Sequence, residues 1–101
     1  MPIVEMMPEM NDEQAKIVAL QALTYLVGEQ QILQRFIDLS GVDLSDLRSR
    51  ADDPGMLAGV LEFFLGFEPQ LLEMCAATGL PPEAPAQARR CLLGVQFEEW
   101  S

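Results

Sequence analysis

Apolar residues return along this chain with the period of a helix, and no stretch keeps the alternation of a strand. Ile17, Leu20, Leu23 and Val27 form one stripe, while Gln14, Gln21 and Thr24 fall on the other side of the same turns. Asn11 precedes that run, and Gln14 three positions on completes the pattern of a capping box. A first helix is therefore expected to end at Gly28 in the left-handed C′ conformation. A second should run from about Glu29 to Leu39, bury Ile32, Leu33, Phe36, Ile37 and Leu39, and stop at Gly41. Asp43, with Asp46 at the third position, suits the cap of a short third helix that turns Leu44 and Leu47 inward. Asp53-Pro54 reads as a restart, an acid at the cap and proline at the first helical position. The fourth helix, Pro54 to Leu65, is apolar round nearly its whole circumference and is expected at the centre of the domain. Glu68-Pro69 opens a fifth, through Leu71, Leu72, Met74 and Cys75 to Gly79. A sixth begins between Pro82 and Pro85 and is expected to close at Gly94.

The pattern also repeats. The run ALQALTYLVG at Ala19–Gly28 returns 38 positions later as LAGVLEFFLG at Leu57–Gly66. Its two breaks correspond as well, Gln21 with Gly59 and Thr24 with Glu62. Ser40-Gly41-Val42 is likewise answered by Thr78-Gly79-Leu80. The expectation is an all-α, compact bundle of about six short helices, in two pseudo-symmetric three-helix units over about 16–53 and 54–91. Two units are fewer than a solenoid needs, so the bundle should be closed. Residues 1–10 carry two prolines and four methionines without a period and read as a disordered lead-in. Residues 11–94 form the single helical domain, and 95–101 a tail with two aromatics, Phe97 and Trp100.

Composition narrows the chemistry. Half of the 101 residues are apolar, enough for one core without staples. No leader or membrane span is read from the N-terminus or from the densest apolar run, Met56–Leu65, so a cytoplasmic protein is expected. Sixteen acids against six bases give a net charge of −10, which repels phosphate backbones and argues against a nucleic-acid partner. Histidine is absent, and with it the commonest general base and metal ligand. Cys75 and Cys91 have no activating base, lie on apolar faces and are expected to be reduced and buried. Asp38, Asp43 and Asp46 lack the spacing of a calcium loop; Asp43 serves as a cap and Asp46 can pair with Arg50 one turn on. No catalytic, cofactor or metal residue is nominated.

Asp43-Leu44-Ser45 invites comparison with acyl carrier proteins, whose phosphopantetheine serine follows the aspartate directly. Here the hydroxyl stands one place later, and Ser45 is explained as a first-turn helix residue. Arg48, Arg50, Arg89 and Arg90 would form one basic patch if the third and sixth helices lay side by side. Phe97 and Trp100, among Glu98 and Glu99, resemble a short amphipathic binding motif. Phe63, Phe64 and Phe67 read as core.

From its first helix onward the chain resembles a family of short alphaproteobacterial proteins known only as a domain of unknown function. The resemblance rests on VALQALTYLVGE, on LQRFIDLSGVDLSDLRSRADDPGMLAGVLEFFL and on LLEMCAATGLPPEAPAQARRCL. It implies a compact helical protein and carries no activity or site residue to transfer. The expected function is a non-enzymatic helical interaction module that meets a protein partner or a second copy of itself through Arg48, Arg50, Arg89, Arg90, Phe97 and Trp100. The alternative is a carrier or binder of a small apolar or acyl ligand held between the two units.

Overall fold

The chain runs through α1 (Asp12–Gly28), α2 (Gln30–Ser40), α3 (Leu44–Ser49), α4 (Pro54–Leu65), α5 (Glu68–Thr78) and α6 (Ala84–Phe97). The computed structural model describes residues 10–97, with side chains through Gly94, and the expected disordered lead-in therefore lies outside the described residues but for Met10. Every element among the described residues is a helix, as the periodicity requires.

The caps form where short-range chemistry places them. Asn11 Oδ1 accepts from the Gln14 amide at 2.7 Å, and Gln14 Oε1 accepts in return from the Asn11 amide at 3.1 Å. Asp43 and Asp46 make the same reciprocal pair at the start of α3, at 2.9 and 3.4 Å. Asp53 accepts from the Met56 amide at 3.0 Å and also holds Arg50 at 3.2 Å. Arg50 thus reaches forward to the α4 cap, and the expected Asp46–Arg50 pair is replaced because Asp46 is engaged in its own capping box.

Helix ends depart from expectation at Gly28 and Gly94. Among the described residues positive φ occurs at Gly41 (76°) and Gly79 (82°), where α2 and α5 end in left-handed caps. Gly28 instead stays helical, and the break falls on Glu29, extended at φ −113° and ψ 99°. Gly66 is right-handed and is followed by Phe67, extended at φ −144° and ψ 96°. An extended residue therefore stands immediately before the second helix of each pair, and a left-handed glycine there would aim that helix elsewhere. Gly94 does not close α6 either. The helix continues to Phe97, because a lone glycine weakens a helix by only about 1 kcal/mol and stops it only when it turns left-handed.

Helices α1, α4 and α6 pack most extensively on one another, with α2 and α5 laid against this trio and α3 making slighter contacts. The core is continuous through Leu26, Leu57, Val60, Leu61, Phe64, Met74 and Leu92. Local backbone geometry repeats at the 38-residue offset, in the extended breaks Glu29 and Phe67 and the left-handed caps Gly41 and Gly79. The third helices differ: α3 has 6 residues and sits at the edge, whereas α6 has 14 and seals the core.

Two facings differ from the sequence reading. On α1 the buried face is Ala15, Val18, Ala19, Ala22, Leu23 and Leu26, while Ile17, Leu20 and Val27 are exposed. Three alanines at 0 % exposure show why: where α1 meets α4 and α6, small side chains admit close helix approach. On α4 the burial is incomplete, since Gly59 and Glu62 face outward. Leu39 and Phe67, expected inside, are also exposed, as is Leu72.

Candidate functional site

The uncovered strip of α4 forms one wall of a groove. Gly59, Glu62, Phe63 and Gly66 supply that wall, and Arg35, Phe36, Leu39 and Ser40 of α2 the other. Phe67 lies at one end, and the space measures about 430 Å³. Phe36 and Phe63 meet edge to face across the helix pair, their centroids 5.3 Å apart, and bring the two walls together. The ring system continues inward from Phe63 to Phe64 at 5.4 Å and on to Tyr25 of α1 at 6.0 Å.

Each lining residue has a local cause. Phe67 is the extended residue between α4 and α5, which leaves its ring 43 % exposed. The Arg35 guanidinium stands over that ring at 4.9 Å, a cation–π contact. Leu39, in the last turn of α2, is 70 % exposed. Gly59 lies inside α4, and a Cβ built there would meet nothing within 4 Å. A glycine at an exposed position inside a helix sacrifices stability that alanine would supply, and here it lets a visitor approach the α4 backbone. Gly59→Ala should stabilise the isolated protein by about 0.5–1 kcal/mol in urea unfolding followed by circular dichroism. A destabilised variant would show that the free protein itself needs glycine at this point.

Charge is spread over the rims. Arg35 marks the α2 side, and Glu62 the α4 side, where Arg89 of α6 approaches its carboxylate at 3.5 Å. Of the arginines singled out from the sequence, Arg89 thus serves α4 and Arg50 the α4 cap. Arg48 lines a separate hollow with Val27, Leu47 and Ala51, and Arg90 is exposed on α6. Helices α3 and α6 do not pack extensively on each other. The Phe97 side chain and Trp100 lie outside the described residues.

Burial pushes the Cys75 thiol above its ordinary pKa, with Glu83 adding to the shift, and its sulfur faces the Pro81 carbonyl oxygen at 3.8 Å. The Cys91 thiol is half-buried and donates to the Met10 carbonyl at 3.2 Å, tying the start of α1 to α6. No disulfide joins the two cysteines. Ser45 is exposed in the first turn of α3. Among the described residues no three acid or cysteine side chains gather in a way that could hold a metal ion. No single described helix is long and apolar enough to cross a membrane.

Sequence reasoning missed Arg35, Leu39, Gly59 and Phe67, though a signal was present. Gly59 and Glu62 are the breaks in the second copy of the repeat, and Gln21 and Thr24 the breaks in the first. All four are exposed, so the interruptions mark the outer face of each long apolar run.

The family described as Protein of unknown function (DUF3572) matches residues 12–95. This chain belongs to that family. The DUF3572 match starts with the first residue of α1 and takes in both walls of the groove. Neither a curated protein nor a solved structure matches the chain.

Proposed function

We propose that the protein is a non-enzymatic interaction module that receives an amphipathic helical segment of another protein in the α2–α4 groove. The observation that carries this reading is the open Gly59 between exposed Leu39 and Phe67. It is a stretch of bare helix backbone flanked by apolar side chains that water now covers. An amphipathic helix binds such a groove through a few apolar anchors on one face. Arg35 and Glu62 on opposite walls would fix its direction by meeting an acid on one flank and a base on the other. The acidic composition and the family resemblance support a cytoplasmic, alphaproteobacterial setting for this role.

The test is photo-crosslinking in the native cells, with a photoreactive residue at Leu39 and, as control, at the exposed loop residue Asp52. A defined adduct from position 39, lost when Gly59→Trp fills the groove, is the expected result. An adduct that forms equally from position 52, or survives Gly59→Trp, would remove the groove from the reading.

A further inference from the structure

We infer that the outer face of α1 is a twofold interface through which two copies of this chain associate. The inference concerns a different face from the α2–α4 groove and is independent of it. The face begins with the second apolar stripe of α1. Ile17 is 51 % exposed, and Leu20 and Val27 are each 38 % exposed, on one side of a single helix. Thr24 stands between them with its hydroxyl donating to the Leu20 carbonyl at 2.8 Å, so it presents chiefly its methyl outward.

Three observations point to a second copy as the occupant. The first is electrostatic. A chain of net charge −10 repels its own copies, yet Ile17 to Gly28 holds no charged residue, so the ridge itself brings no like charge into the contact, and Glu29 and Glu73 near Tyr25 stand at its edge. The second is shape. The ridge of Leu20 and Thr24 is flanked on both sides by shallow hollows of about 400 and 410 Å³. One is completed by Tyr25 and Thr78, the other by Leu47, Arg48 and Ala51. A ridge beside hollows is self-complementary: rotation by half a turn seats each ridge in the other copy's hollow, as an isologous contact requires.

The third is the pairing that such a rotation produces. A twofold axis on the outer face of α1 at the level of Ala22, two residues past the helix centre, sets the helices antiparallel and brings Val27 opposite Ile17 of the other copy and Leu20 opposite its Thr24. Glu13, exposed one turn before Ile17 on the same stripe, then falls at the end of the partner hollow that contains Val27 and Arg48. Arg48 and Glu13 are thereby offered to each other twice across the axis.

The size is adequate for a reversible dimer. With 17 residues α1 is about 25 Å long, and with its α3 and α5 shoulders the face is roughly two helix diameters wide. That is on the order of 550 Å² from each copy, or about 1,100 Å² in all, just above the lower bound for a specific contact. A contact at this low end of specific interfaces is expected to be weak and concentration-dependent.

Sedimentation velocity of the full chain from micromolar to about 0.5 mM is the test. The expected result is a concentration-dependent monomer–dimer exchange that Leu20→Asp weakens by about ten-fold or more, with the far-ultraviolet circular dichroism unchanged because Leu20 is a surface residue. Glu13→Arg and Arg48→Glu should each weaken the dimer, and the two together should restore it. A monomer at every concentration would overturn the inference. So would a dimer indifferent to Leu20→Asp, or a monomer in which residues 1–9 crosslink to Leu20 and cover the face themselves.

Discussion

Phe64→Ala is expected to destabilise the protein by about 3–5 kcal/mol, a third or more of what a domain of this size possesses. Phe64 is fully buried in α4, the helix that packs on α1, α5 and α6 together. Its ring meets Tyr25 on one side and Phe63 on the other, so truncation removes two aromatic contacts besides opening a cavity. The void would lie amid Leu57, Val60 and Leu61 of the same helix, whose packing on three neighbours leaves little room for collapse. Urea unfolding monitored by circular dichroism should show the lower midpoint, and melting should begin more than about 10 °C earlier. A loss under about 1 kcal/mol would mean that α4 is not the centre of the core.

Ala88→Leu should cost about 1–3 kcal/mol although it adds apolar surface. Ala88 is fully buried on α6, and the α1 face in the same core carries Ala15, Ala19 and Ala22, also fully buried. The larger side chain would have to push α6 away from α1 and α4, loosening the contacts that seal the bundle. The expected signature is a lowered midpoint with faster amide exchange along α1 and α6. An unchanged midpoint would show that α6 seats loosely, contrary to the burial of its inward face.

The two variants probe different kinds of legibility. Phe64 lies in a run so apolar that its burial could be read directly from the pattern, and the structure agrees. Ala88 and the α1 alanines were overlooked because alanine adds little to an apolar stripe. Counting only large side chains on α1 selected Ile17, Leu20 and Val27, which point outward. Ala15, Val18, Ala19, Ala22, Leu23 and Leu26 follow the same helical spacing and could have been found by giving alanine full weight. The groove was harder to see. Its walls come from helices joined by the α3 segment, and Leu39 and Phe67 are apolar residues that the core leaves exposed, Phe67 beneath the Arg35 guanidinium.

What the sequence by itself determined is what closes within about one helical turn. The caps at Asn11, Asp43 and Asp53 pair a side chain with an amide three positions on, and the left-handed ends at Gly41 and Gly79 need only the freedom of one residue. Only the tertiary structure decided which face of α1 is buried, where Arg89 finds its acid, and that α2 and α4 leave a groove uncovered. Those outcomes depend on how near helices distant in sequence can approach. Helix α1 has two faces apolar enough to bury, and the small alanines won because they let α4 and α6 come closest.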